Sequence, residues 1–358
     1  MKKFRVGILG ATGMVGQRFI TLLEKHPWFD VVVVAASPQS AGKRYETSVK
    51  TRWKMTTAIP NSVKPLVIQS VKDDIEEIAK SVDFVFSALD MEKAEIREIE
   101  DAYAAHEIAV VSNNSAHRWT EDVPMIMPEI NPEHVTIIDI QRKKRGLTKG
   151  FIAVKPNCSI QSYVSILTAL KKFEPKRVDV VSLQAISGAG KIFESWPEMV
   201  DNVNPLIGGE EEKSEKEPMK IWGEIQNDNI VLAEAPSIAA TCIRVPVTDG
   251  HMASVAVSFV KKPTKEQFIQ AVEMFNPLAD LHLPSAPKQL MKYREEEDRP
   301  QTRLDRDYEN GMGITFGRLR EDKHFDWKFI ALSHNTVRGA AGGAVLLAEL
   351  LVKKGYVH

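Results

Sequence analysis

Two cysteines occur among the chain's 358 residues, and one stands where a thiol could react. Lys155-Pro156-Asn157-Cys158-Ser159 follows a short apolar strand pattern and precedes a helical pattern that starts near Ile160. At a helix N-terminus a thiolate is stabilised by the helix dipole and by unused backbone N–H groups. Asn157 and the adjacent backbone are candidates to stabilise an oxyanion on an adduct of Cys158. A cysteine in general is more often a small buried apolar residue. Cys242, inside Ala240-Thr241-Cys242-Ile243, has that plainer reading. Cys158, in a loop that caps a helix, reads as a nucleophile.

Three further clusters carry chemistry. His251 closes Arg244-Val-Pro-Val-Thr-Asp-Gly250-His251 just before a strand, seven positions after Arg244. The pair could bring a base and a guanidinium fork to one pocket, and such a fork suits a carboxylate or a phosphate. A Gly-His step into a strand is also a common structural feature. Gly208-Gly209-Glu210-Glu211-Glu212-Lys213 puts Glu210 and Lys213 on one face of a helix. Glu210 could meet an ammonium group and Lys213 a phosphate; the plainer reading is a charged helix start. Ser187-Gly188-Ala189-Gly190 is either a turn or a place where backbone approaches a nicotinamide.

At the other end of the chain, Gly10-Ala-Thr12-Gly13-Met14-Val15-Gly16 lies between a strand pattern and a helix pattern. Its glycines permit a tight turn and close approach to a pyrophosphate at the helix N-terminus. The spacing is GxxGxxG, not the usual GxGxxG. After the second strand the chain runs Ser37-Pro-Gln-Ser40-Ala-Gly-Lys43-Arg44, with no carboxylate to hold a ribose or repel a 2′-phosphate. NADP is favoured over NAD.

The elements that must position these residues fall into two patterns. Phe4–Leu9, Val31–Ala36, Phe84–Ala88 and Ile108–Val111 read as buried strands alternating with helices over Met14–His26, Asp74–Ser81 and Lys93–His106. That alternation predicts an α/β fold with a Rossmann-like, doubly wound parallel sheet. Beyond about Phe151, Val178–Ala185, Met252–Val260, Gly313–Arg318 and Trp327–Leu332 read as longer strands of a mixed α+β domain, with helices over Lys265–Phe275 and Gly339–Lys354. Arg142–Arg145 and Glu295–Asp298 read as solvated loops. A net charge of −1 and 27% charged residues give no basic excess for nucleic acid or an anionic membrane. No apolar run reaches a bilayer span and no signal-peptide pattern opens the chain. With two cysteines, a reduced cytoplasmic setting is expected. No His/Cys cluster has metal-ligand spacing, so no metal is expected.

Read in order, GATGMVG, SNNSAHRW, PNCS, SLQAISGAGK, GGEEEK, RVPVTDGH and HNTVRGAAGG resemble aspartate-β-semialdehyde dehydrogenase, in its archaeal and fungal branch. The resemblance runs from Gly10 to Gly343. It implies NADPH-dependent reduction of β-aspartyl phosphate to the semialdehyde through a Cys158 thioester, a step in lysine, threonine and methionine biosynthesis. It also implies that Gln184 positions substrate, His251 is the acid/base, Arg244 holds the substrate carboxylate and Glu210 its amino group. Lys213, Asn113 and Arg118 would form a phosphate site. Gly10, Thr12, Gly13, Met14, Val15, Ser37, Ser40, Ser87, Ser187, Gly188 and Asn335 would surround NADP. The implied domains are a cofactor domain over 1–156, completed by 336–358, and a catalytic and oligomerisation domain over 157–335. A homodimer or homotetramer is expected. Malonyl-CoA reductase is one rival; Asn157 before Cys158, and Glu210 with Lys213, oppose it. N-acetyl-glutamyl-phosphate reductase is another, and its blocked amine would need no Glu210. A silent NADP-binding scaffold is disfavoured by Cys158, Arg244 and His251 occurring together.

Overall fold

The computed structural model describes residues 3–358, and the chain divides into two compact units. The first runs to Pro156 and takes in Ile225–Asn229 and Ala341–His358; the second comprises Asn157–Glu224 and Ile230–Ala340.

In the first unit β1 (Phe4–Leu9), β2 (Phe29–Ala36), β3 (Gln69–Ser70), β4 (Phe84–Ser87), β5 (Ala109–Ser112) and β6 (Phe151–Val154) form one parallel sheet in the order β3-β2-β1-β4-β5-β6. β4, β5 and β6 are buried along their whole length, as continuous apolar runs demand when helices cover both faces. The helices are α1 (Met14–Leu23), α2 (Tyr45–Val49), α3 (Ile75–Ser81), α4 (Lys93–Ala105) and α5 (Ile137–Arg145). Arg142–Arg145 is thus the last turn of α5, not a loop. Arg142 lies over the rings of Phe151 and Tyr356, and Arg145 pairs with Asp101 and Asp122. Local charge density hid the helix; cation–π contact and ion pairing account for its basic turn.

The second unit begins with α6 (Gln161–Ala169), β7 (Pro175–Gln184) and α7 (Glu210–Ile221); after β8 (Glu224–Gln226) and β9 (Asn229–Val231), whose residues Ile225–Asn229 belong to the first unit, come β10 (Ser237–Arg244) and β11 (His251–Phe259). It continues through α8 (Lys265–Glu273), β12 (Met291–Arg294), α9 (Thr302–Asp305), β13 (Ile314–Glu321) and β14 (Trp327–Ser333). The last helix, α10 (Gly342–Lys353), belongs to the first unit. There, His26 at the end of α1 meets Glu349 of α10 at 2.7 Å, both buried. Six of the second unit's strands form a mixed sheet, β10-β7-β11-β14-β13-β12. β10 runs parallel to β7, and β11 antiparallel to it. On one face Val180, Val255 and Phe329 stand in register in the core, with the ring of Phe268 of α8 edge-to-face with Phe329 at 5.5 Å between centroids. On the other face Val181, Ser254 and Ile330 stand in register and remain partly exposed.

One local device joins α6 to α7. Pro218 sits inside α7 and has no N–H, so the carbonyl four residues earlier, on Ser214, loses its helical donor. The buried hydroxyl of Tyr163 on α6 donates to that carbonyl at 2.9 Å. We expect Tyr163→Phe to leave the carbonyl unsatisfied and cost about 1–3 kcal/mol. Urea unfolding would show it as a lower midpoint at unchanged slope. An unchanged midpoint would mean that the bond contributes nothing net.

Candidate active site

In the first unit the glycine loop leaves β1 and enters α1. Gly10 and Ala11 donate to the carbonyl of Ala35 on β2 at 2.9 and 3.0 Å. Tyr45 donates to the carbonyl of Ala11, and Gln17 to that of Thr12. A Cβ on Gly16 would lie 2.3 Å from the Gly10 carbonyl oxygen, so the turn itself requires glycine there. Met14 and Val15 form the first turn of α1, whose opening N–H groups have no partner within the helix, and no acidic residue occupies that turn. Ser37 follows β2 and accepts the Ser40 N–H; Lys43 and Arg44 are exposed in the same loop. Ser87 ends β4 fully buried, its hydroxyl taking a bond from Asn114 and its carbonyl one from Asn113. Arg118 is buried and reaches the carbonyls of Lys155 and Asn113.

In the second unit the topology explains the spacing of Arg244 and His251. β10 ends at Arg244, directly beside Gln184, the last residue of β7. The chain then crosses the end of β7 and returns on its other side as β11, whose first residue is His251. His251 therefore opens the strand rather than preceding it. Both side chains now flank one residue of β7's exit, Ala185. The Ala185 N–H donates to His251 Nδ1 at 3.0 Å, and its carbonyl accepts from Arg244 Nη1 at 2.7 Å. A Cβ on Gly188 would sit 2.9 Å from both Arg244 Nη1 and His251 Nε2. Gly188 is thus the gap on which the guanidinium and the imidazole converge. Asn335 is buried beneath them. It accepts the Gly250 N–H and donates to Ser187 Oγ, each at 2.8 Å.

Burial drives the His251 pKa down to about 3, and the charge on Arg244 pushes the same way. The imidazole is neutral near pH 7. Burial also lowers Arg244, while the charge of Cys158 acts on it in the opposite sense. Cys242 is buried, and its thiol is pushed up to about 11 by that burial.

Cys158 lies two residues before the N-cap of α6, and α7 holds its loop. Asn157 Nδ2 donates to Glu210 at 2.8 Å, and the Asn157 N–H donates to Glu217 at 2.6 Å. Lys213 and Gln184 also donate to Glu210, at 2.7 and 3.4 Å. Burial raises the Glu210 pKa, but Lys213, Asn157 and Gln184 outweigh it and leave the carboxyl below its ordinary value. Glu210 is the anion of this cluster.

The structure brings Cys158, Asn157, Gln184, Arg244, Glu210, Lys213, Ser187, Gly188, His251 and Asn335 into the second unit, and Asn113 with Arg118 into the first. Sequence reasoning missed three contributors. Ala185 acts only through its backbone. Glu217 lies two helical turns after Glu210, a spacing that puts both on one face and was readable. Gly339 packs on the nucleophile, since a Cβ there would lie 2.8 Å from that of Cys158. Among the described residues, no group of three or more His, Cys, Asp or Glu could hold a metal, and no helix is long and apolar enough to cross a membrane.

Comparison with known proteins adds the following. Residues 5–138 match the family model of the semialdehyde dehydrogenase NAD-binding domain, and residues 167–338 that of the semialdehyde dehydrogenase dimerisation domain. The chain is 44% identical to an aspartate-semialdehyde dehydrogenase of Archaeoglobus fulgidus, with 98% of this chain and 99% of the relative covered. It is 43% identical to that of Aspergillus fumigatus, with 99% of each covered. A crystal structure of the Candida albicans enzyme with NADP superposes with a TM-score of 0.88 at 37% identity, covering 99% of this chain and 100% of the other.

Two outcomes follow from the geometry. Gly188→Ala forces the Arg244 and His251 heads apart, and a displacement approaching 1 Å costs about 10²-fold in kcat/KM; a variant with wild-type kinetics would show that the gap is not needed. Between pH 6.5 and about 3 the unfolded chain binds a proton at His251 that the folded chain refuses. Stability contributed by neutral His251 is therefore complete above pH 6.5 and is lost as pH falls. Denaturant midpoints at pH 7 and 4.5 should drop more for wild type than for His251→Gln, and equal drops would remove His251 from the acid response.

Proposed function

The chain belongs to the aspartate-semialdehyde dehydrogenase family, and we propose that Cys158 is the nucleophile of its NADP-dependent, phosphorylating oxidoreductase chemistry. The reaction is the aspartate-pathway step of amino-acid biosynthesis that reduces β-aspartyl phosphate to aspartate semialdehyde. The observation that carries the residue assignment is the convergence of Arg244 Nη1 and His251 Nε2 on the gap left by Gly188. Malonyl-CoA reductase, the rival reading, finds no support among the relatives and is dropped.

Cys158 attacks the acyl carbon of β-aspartyl phosphate, the C–O bond to phosphate breaks, and a thioester remains. NADPH, when bound, supplies the hydride that reduces this acyl carbon. The resulting tetrahedral oxyanion on Cys158 collapses to the semialdehyde and releases the thiolate. Arg244 binds the substrate carboxylate with its fork. Glu210, held ionised, takes the substrate ammonium beside Gln184. Lys213 serves the phosphate. His251 serves the reacting oxygen.

The first unit, with its residues 341–358, is the cofactor unit. Gly10, Thr12, Gly13, Met14 and Val15 would hold the pyrophosphate. A Cβ on Gly13 would make only an ordinary 3.5 Å contact, so the fold itself does not require glycine there; close approach of a ligand would. Ser37, Ser40, Lys43 and Arg44 would hold the 2′-phosphate, and Ser87 would lie toward the nicotinamide. The protein works as a homo-oligomer. The open face of the second sheet, carrying Val181 and Ile330, is the surface we assign to a dimer, alone or within a tetramer.

The test is absorbance at 340 nm with purified protein, aspartate semialdehyde, NADP and phosphate. NADPH should form only when phosphate is present, and Cys158→Ser should reduce kcat by on the order of 10⁴-fold while the protein still binds NADP. Phosphate-independent turnover, or an active serine variant, would overturn the thioester route. Malonyl-CoA with NADPH should give no turnover.

A further inference from the structure

Glu100 of α4 is fully buried in the first unit, away from any residue discussed so far as reactive. Its Oε1 accepts two bonds, from the Ser112 hydroxyl at 2.6 Å and from Asn114 Nδ2 at 2.9 Å. Its Oε2 is buried and has no partner among the described residues. A buried carboxylate bonded on one oxygen alone is a poor source of stability, but a strict source of direction, because it can only accept. Ser112 ends β5, and Asn114 lies in the loop that follows. The Ser112 oxygen accepts the Asn114 N–H at 3.1 Å, so its own proton is committed to Glu100. Asn114 Nδ2 also donates to the Ser87 hydroxyl oxygen at 2.9 Å. Its two hydrogens are then both used, one on Glu100 and one on Ser87. If the amide were turned over, its oxygen would face the Glu100 oxygen, acceptor against acceptor. Glu100 therefore decides that nitrogen, not oxygen, meets Ser87. Ser87 is thereby an acceptor toward Asn114, and among the described residues its own hydroxyl proton has no acceptor. Ser87 ends β4 in register with Leu9 of β1, the residue before the glycine loop. In the order β3-β2-β1-β4-β5-β6, β1 and β4 are the neighbours at which the winding reverses, the point where such a sheet takes a dinucleotide.

We propose that Glu100 is a positioning residue for the cofactor: by fixing the Asn114 amide it makes Ser87 a hydrogen-bond donor toward the nicotinamide end of NADP. This rests on the reading of Ser87 made above. Glu100 itself touches neither cofactor nor substrate. The acceptor that suits Ser87 is a neutral carbonyl oxygen, which the carboxamide of nicotinamide offers. Without Glu100 the Asn114 amide could present either end, and Ser87 could spend its proton on the Asn114 oxygen instead of on the cofactor. The relay runs from a helix on the outside of the sheet to the carboxyl ends of two neighbouring strands, since Ser112 and Ser87 are partners in the pairing of β5 with β4. The effect is confined to one half of the dinucleotide, because the 2′-phosphate is assigned to residues after β2.

The experiment measures binding rather than turnover. NADP, and adenosine 2′,5′-bisphosphate, which has the 2′-phosphate but no nicotinamide, are titrated by calorimetry into the full-length protein and its variants. Ser87→Ala removes the donor and should weaken NADP about tenfold, as one lost hydrogen bond does. Glu100→Met, which fills the space but cannot accept, should weaken NADP by a similar factor and leave the bisphosphate bound as in wild type. Asn114→Ala, at a half-buried position, should do the same, and it decides the matter if Glu100→Met does not fold. Glu100→Gln, whose side-chain oxygen can still accept from Ser112 and Asn114, should recover most of the loss. Ser87→Ala combined with Glu100→Met should bind NADP no more weakly than Ser87→Ala alone, because both changes act through one hydroxyl. Wild-type NADP affinity in Glu100→Met or Asn114→Ala, additive losses in the double variant, or a Glu100→Gln as weak as Glu100→Met overturns the proposal. An equal loss for the bisphosphate also overturns it, since Glu100 would then only support the fold. Wild-type NADP binding by Ser87→Ala refutes the reading of Ser87 and the proposal with it; that failure is recognised separately, because Glu100 and Asn114 are intact there.

Discussion

The chemistry of the second unit depends on the exit of β7. Gln184 is the last residue of that strand, and Ala185 to Gly188 follow it. Parallel pairing with β10 and antiparallel pairing with β11 bring the end of one neighbour and the start of the other to the same edge. The connection between those neighbours must then pass over the end of β7. Arg244 and His251 are the last and first residues of the two strands, so they face each other across it. One peptide serves both, with the Ala185 N–H on the imidazole and its carbonyl on the guanidinium. Each side chain is anchored to a different group of Ala185. The absence of a side chain at Gly188 leaves the space in which both can meet a ligand.

A second polar seam fixes the thiol. α7 presents Glu210 to the Asn157 side chain and Glu217 to the Asn157 main chain. Tyr163 docks onto the carbonyl that Pro218 leaves open, and Ser159 lies 3.4 Å from Ser214, hydroxyl to hydroxyl. A fully buried carboxylate such as Glu217 is costly unless it is bonded. An apolar side chain would fill the same space without that cost, but it could not hold an amide N–H at 2.6 Å next to Cys158. Helix α7 therefore trades hydrophobic burial for direction, and the residue it directs is the one immediately before the nucleophile.

Much of this was legible in the sequence wherever the signal is local. The β-branched run Val31–Val34 and the apolar β4 could be read as buried strands because both faces are covered. The nucleophile's loop, the seven-residue step from Arg244 to His251, and the pairing of Glu210 with Lys213 were all visible as spacings. β10 was not visible, because Ser237 to Thr241 expose alternate residues and carry little apolar weight. β12 was missed as well, being four residues long at the sheet's edge. The role of Asn335 was also out of reach. Its amide is spent on Gly250 and Ser187, which lie far away in sequence and close only in the fold. A backbone contributor such as Ala185 leaves no trace in residue type at all.

The two cationic candidates of the site differ in their charge, first because His251 is buried and second because Arg244 lies beside it. An arginine keeps its charge under all ordinary conditions, even where burial lowers its pKa. A histidine placed beside it, desolvated and already accepting a backbone N–H, finds its own cation opposed from every one of those directions. The permanent charge therefore belongs to Arg244, which suits a carboxylate that is charged throughout the reaction. The strand order β10-β7-β11 thus sets the shape of the site and places Arg244 where it adds to the effect of burial on His251.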